Sequence, residues 1–152
     1  MITIENDTIY GQIELMAFRN YQLTTQSGEK IKITSKLSLE FRKDGFKYVY
    51  KKKKPYTIGD KKHAYLKLIN DGEVKLYEYR VTRQMHNSTM GESFYYVERD
   101  NEIHLINSAR LLSILHSVIP ENKILFEKIK SRELSHKDMY LIIKYYNTMP
   151  KV

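Results

Sequence analysis

The apolar residues change period near Ile106. Before it they alternate with polar ones, as in Leu37-Ser38-Leu39-Glu40-Phe41 and Val74-Lys75-Leu76-Tyr77. Beyond it they recur every three or four positions, at Leu111, Leu112 and Leu115 and then at Leu125 and Ile129. A period of two belongs to half-buried strands, and a period near 3.6 to helices with one buried face. The order of the two patterns predicts a single α+β domain over 1–152: an antiparallel sheet over 1–106, closed by a helical cap over 107–152. At 152 residues the chain is long enough for one substantial core.

Turn chemistry divides the first part. Asn6-Asp7, Ser27-Gly28, Asp44-Gly45, Asp71-Gly72 and Asp100-Asn101 each stand between alternating runs. Glycine accepts positive φ at no steric cost, and Asn and Asp adopt it more readily than other residues, so these pairs suit hairpins. The first strands are expected at Ile2–Glu5, Thr8–Leu15, Lys30–Ile33, Leu37–Phe41 and Phe46–Tyr50. Ala64–Ile69, Glu73–Val81, Phe94–Val97 and Ile103–Ile106 follow, paired as a meander in an open sheet or partial barrel. Lys51–Lys62 and Arg83–Glu92 read as loops. Seven tyrosines (Tyr48, Tyr50, Tyr65, Tyr77, Tyr79, Tyr95 and Tyr96) fall on strands, where rings fit a pleated, half-buried surface. That reading is preferred to a ligand-binding aromatic platform.

The rear part predicts about three short helices. Asn107 or Ser108 caps the first, which ends before Pro120. The second runs from Glu121 to about Lys130, with Ile124, Leu125 and Ile129 inward. Ser135 and Asp138 form a capping box for the third, whose apolar face carries Met139, Ile142, Ile143 and Tyr146. None is long enough to stand alone in water, so all must pack on each other and on the sheet.

The charge is uneven. Nine Lys or Arg lie between Arg42 and Lys62 against Asp44 and Asp60, which leaves +7 of the chain's net +8. A field of that size attracts anions. Lys51, Lys52, Lys53, Lys54, Lys61 and Lys62, with Tyr56 to stack on a base, form the candidate anion-binding set. The plainer reading is a solvated, lysine-rich loop that also guards a sheet edge.

Little else points to chemistry. The absence of cysteine excludes disulfides, thiol catalysis and thiolate metal sites. His63, His86, His104, His116 and His136 stand at no metal-ligand spacing, so neither a metal nor a cofactor is expected. There is no P-loop and no G-x-G-x-x-G. Gly91-Glu92-Ser93 lacks the second glycine of a nucleophile elbow. Ser113 and His116 stand three apart on a helix, without a local acid to orient the imidazole. Glu98, Asp100 and Glu102 read as a solvated acidic hairpin end. Asn6 and Asn87 begin sequons that carry no meaning without a glycosylating pathway.

Three segments carry a family resemblance. The first is Ile2–Ile13, a strand, then a polar turn with Asp7-Thr8-Ile9, then Gly11. The second is Gly72–Tyr79, a strand after an Asx-Gly turn. The third is Phe126–Asn147, with Ile129, Leu134, Asp138 and Tyr146-Asn147. Together they resemble an uncharacterised family of secreted or cell-envelope proteins of Bacteroidetes bacteria, over most of the chain. Many members carry a leader and a cysteine, near whose place Ile119-Pro120-Glu121 stands here. The resemblance implies architecture and an envelope location, and no catalytic residue.

Met1–Asn6 has neither a basic n-region nor an apolar h-region. The expected location is therefore periplasmic or extracellular if a leader has been removed, and cytoplasmic if the chain is native as it stands. The leading functional expectation is a non-catalytic envelope module that binds a protein or surface. The alternatives are a polyanion- or nucleic-acid-binding protein using loop 51–62, and a hydrolase using Ser113, His116 or the turn carboxylates.

Overall fold

The computed structural model describes residues 1–3, 5, 7–16, 20–85, 88–120 and 122–149. The sequon residues Asn6 and Asn87, together with His86, lie outside the described residues.

Among the described residues nine strands precede three helices, the order that the change of period predicts. β1 (Gly11–Met16), β2 (Asn20–Thr25) and β3 (Lys30–Ile33) form one antiparallel sheet. β4 (Glu40–Lys43), β5 (Phe46–Lys52), β6 (His63–Asn70), β7 (Lys75–Met85), β8 (Ser88–Arg99) and β9 (Glu102–Ile106) form a second, in sequential order. The meander is correct within each sheet. There are two sheets instead of one because the chain turns out of the ladder after β3. There the Leu37 and Ser38 amides both donate to the Thr34 carbonyl.

The hairpin signals perform as their chemistry requires. Asp44 (φ 51°) with Gly45 (φ 79°) joins β4 to β5, and Asp100 (φ 51°) with Asn101 (φ 67°) joins β8 to β9. Both residues of each pair take positive φ, the geometry that matches strand twist in two-residue loops. Asp71-Gly72 is different, since Gly72 is not in the positive-φ region. A Cβ there would lie 2.5 Å from the Asn147 amide nitrogen, so glycine is needed for close approach.

Several elements depart from expectation, β2 first, since no strand is expected over 20–25. Where a strand over 2–5 is expected, Ile2 makes isolated bridges to Thr8 and Glu40. The polar stretch 83–92 is mostly strand, because β7 and β8 pair from Lys75↔Glu98 to Met85↔Ser88 and carry the ladder past the buried core. Ile124 points outward and is 57% exposed, while Leu125, Phe126 and Ile129 face the core.

The helices are α1 (Leu111–Val118), α2 (Lys123–Lys130) and α3 (Met139–Thr148). Asn107 caps the 3-10 turn that leads into α1, and Ser135 with Asp138 forms the predicted capping box before α3. The Ser135 hydroxyl and amide both donate to Asp138 and hold its carboxyl below its usual range. Leu111, Leu115, Phe126, Met139, Ile142 and Ile143 pack with Val74, just before β7, and with Leu76 and Val97 of the large sheet.

Register assigns the faces of the large sheet. The row Tyr48↔Lys67↔Glu78↔Tyr95↔Ile106 lies on one face, and the row Leu68↔Tyr77↔Tyr96↔Leu105 on the other. The first face meets the small sheet through Phe41, Tyr48 and Tyr65 and the helices through Tyr95 and Ile106. The second buries Leu66, Tyr77, Tyr79, Val81 and Tyr96.

Candidate functional site

Alternation decides where the lysine run points. β5 ends at Lys52, and the Lys53 amide donates to the Lys62 carbonyl, extending the hairpin by one step. Lys51 and Lys53 therefore turn toward the tyrosine face, while Lys52 and Lys54 turn to solvent. Lys51 pairs with Glu98 at 2.8 Å. Lys53 is 3% exposed and pairs with Asp60, its ammonium 4.3 Å from the centre of the Tyr79 ring.

The expectation of a fully solvated loop is thus corrected at Lys53: its charge is neutralised in the interior. Tyr56 stacks on Phe94 with centroids 4.1 Å apart, so this ring already lies against the protein. Lys52, Lys54, Lys61 and Lys62 remain exposed.

The other candidates are also placed. Glu98 is 4% exposed, not solvated, because its strand position shares the face of Tyr96 and meets Lys51. Its proximity adds to burial in raising the Tyr77 hydroxyl pKa. Asp100 and Glu102 are exposed. The Ser113 hydroxyl donates to the Arg110 carbonyl, and His116 stacks on Phe126 with centroids 3.8 Å apart. Both are engaged locally in ways that do not form a nucleophile–base couple. Among the described residues, no three His, Asp or Glu side chains converge as metal ligands. None of the described helices is long and apolar enough to cross a membrane.

The site that sequence reasoning missed is a cleft of about 420 Å³ between the small sheet and the first face of the large one. Tyr21 comes from β2, Tyr48 and Tyr50 from β5, and Tyr65 from β6. Their rings form a chain: Tyr21 to Tyr48 at 5.6 Å, Tyr21 to Tyr65 at 6.0 Å and Tyr65 to Tyr50 at 5.1 Å between centroids. His63 continues it, stacked on Tyr50 at 6.0 Å. The Tyr65 hydroxyl donates to the Ser38 carbonyl at 2.6 Å, which fixes that ring.

Burial, with help from Tyr50, pushes the Tyr65 hydroxyl up to about 12. Burial also raises Tyr21 and Tyr48. These phenols are hydrogen-bond donors across the neutral range.

Cations accompany the rings. Lys32, Lys61, Lys67 and Arg80 line the cleft against one carboxylate, Glu78, which lies 3.9 Å from Lys67. Arg80 occupies space that a side chain at Gly91 would take, since a Cβ there would lie 3.1 Å from the guanidinium. Of the predicted anion-binding set only Lys61 reaches the cleft. Tyr48, Tyr50, Tyr65 and Lys67 alternate on paired strands, which is a readable signal. Tyr21 and Lys32 come from the other sheet and leave none.

No family model, curated protein or solved structure matches the chain.

Proposed function

We propose that this protein is a non-catalytic binding module whose ligand, an anion built on a ring, lies in the cleft between the two sheets. The carrying observation is that the lining, which includes five tyrosines, sets the rings of Tyr21, Tyr48, Tyr50 and Tyr65 beside four cationic side chains and one carboxylate. Its volume falls in the range of roughly 300–1,000 Å³ common to small-molecule sites. Tyrosine faces accept a ring by stacking and their hydroxyls donate hydrogen bonds. Lysine and arginine add charge-assisted bonds to phosphate, sulfate or carboxylate.

The non-catalytic part is supported by the local engagement of Ser113, His116 and Glu98. The resemblance to envelope proteins supports a post outside the cytoplasm, with a protein or surface as partner.

The test is chemical-shift mapping with a nucleoside monophosphate, a sulfated disaccharide and their uncharged counterparts. The anionic probes are expected to move resonances of Tyr48, Tyr50 and Tyr65. Tyr50→Ala or Lys61→Glu is expected to weaken binding at least several-fold. Probes that bind elsewhere, or not at all at millimolar concentration, overturn the reading.

A second reading, binding of a long polyanion, draws support from the exposed Lys52, Lys54, Lys61 and Lys62. Burial of Lys53 and the packing of Tyr56 on Phe94 remove two of its expected contacts.

A further inference from the structure

We infer that loop 53–62 is a docking tip for anionic lipid bilayers, with Ile58 entering the membrane interface and exposed lysines meeting the headgroups. Ile58 is 102% exposed, more than any other large apolar side chain among the described residues. A lone surface isoleucine means little by itself. Here both the mounting and the surrounding charge single it out.

The mounting is held by hydrogen bonds on both sides. Thr57–Asp60 is a turn closed by the Asp60 amide on the Thr57 carbonyl at 3.3 Å, with Gly59 at φ 82°. Positive φ at the third position is that of a type II turn, which places Ile58 at its outer corner. On either side the chain is tied inward. The Asp60 carboxylate accepts from the Tyr56 amide at 3.2 Å and pairs with buried Lys53. The Tyr96 hydroxyl donates to the Lys54 carbonyl at 2.9 Å. The interior thus anchors the flanks while the one branched apolar residue of the tip is left in water.

The charge is complementary to an anionic surface. Lys52, Lys54, Lys61 and Lys62 are exposed and have no carboxylate partner among the described residues. The only acid between residues 52 and 63 is Asp60, whose side chain is 1% exposed and committed to Lys53. An apolar tip within a lysine group suits a bilayer, where the interface accepts hydrocarbon and the headgroups accept ammonium. A nucleic acid offers phosphates to the lysines but would use a stacking ring at the tip, and Tyr56 is packed on Phe94.

The test uses vesicles of phosphatidylcholine with about one-third phosphatidylglycerol, whose anionic headgroups give the surface a negative potential. Binding is followed by co-sedimentation at low and physiological salt. The protein is expected to bind these vesicles and not phosphatidylcholine alone. Each of Lys54→Gln, Lys61→Gln and Lys62→Gln should weaken partitioning about fivefold. Ile58→Ser should weaken it roughly tenfold, corresponding to partial burial of the side chain.

The chain has no tryptophan, so Ile58→Trp gives a single reporter whose emission should shift to the blue on the vesicles. Ile58 is in full solvent contact, so neither variant threatens the fold. Absence of binding at low salt overturns the inference. Binding without a blue shift and unaffected by Ile58→Ser also overturns it, as adsorption by charge alone. Tighter, Ile58-independent binding to a single-stranded oligonucleotide would assign the loop to nucleic acid instead.

Discussion

Lys53 is the residue that most shapes the candidate loop. Its ammonium lies among the rings of Tyr56, Tyr79 and Tyr96, with Asp60 as counter-charge. Removing one partner of such a pair leaves the other charge buried, which costs about 3–5 kcal/mol, whereas replacing both is far cheaper. Lys53→Met should therefore destabilise the protein by about that amount in urea denaturation. Lys53→Met combined with Asp60→Asn should cost less than the sum of the single changes. Lys54→Met, one position along and exposed, should stay within about 0.5 kcal/mol of the parent. Equal losses at positions 53 and 54 would show that the pair is not the anchor described. The basic character of this stretch was readable from the sequence, but its division was not. Whether a lysine turns in or out follows from continued strand alternation and from partners such as Glu98, 47 positions away.

At the scale of elements, α3 is fastened to the β6–β7 connection by Asn147 and by Tyr146, whose hydroxyl donates to Glu73 at 3.2 Å. Asn147 accepts from the Val74 amide at 3.1 Å and donates to the Val74 carbonyl at 2.7 Å and to Asn70 Oδ1 at 2.6 Å. Gly72 leaves the room this requires, so Gly72→Ala forces the bonded amide aside. A loss of about 1–3 kcal/mol is expected for Gly72→Ala, in the range of overpacking, and a similar loss for Asn147→Ala. In the Asn147→Ala background Gly72→Ala should cost much less, because the obstructing amide is gone. A double-mutant cycle by urea denaturation measures this, and strict additivity would contradict the contact. The helices and most strands were legible, since their periods, turn pairs and capping box are local, but β2 was not. The split into two sheets, the extension of β7 and β8 through 83–92 and the outward Ile124 were not, because tertiary pairing decides each. The cleft shares that fate: Tyr21 reaches Tyr65 only across two sheets.

For the molecule as a whole, tyrosines take part in all three of its hydrophobic clusters. Tyr21, Tyr48, Tyr65, Tyr77 and Tyr95 all have hydroxyl pKa values raised above 10, in each case chiefly by burial. They bridge both faces of the large sheet, so their ionisation acts on the whole fold. The native state holds these protons at pH values where the unfolded chain, with pKa near 10, has begun to release them. Between those values the unfolded state binds fewer protons, so stability falls as pH rises. Stability contributed by the neutral phenols is fully present below about pH 10 and is lost as pH climbs through the folded value, about 12 for Tyr65. Urea midpoints should therefore show no tyrosine-linked loss up to about pH 9.5 and decline steeply beyond about pH 10. Tyrosinate absorbance should rise in two stages, the exposed rings first and the buried ones together with loss of structure. A single titration near pH 10 with the fold intact would mean that these rings are open to water, and the cleft with its phenol donors would have to be redrawn.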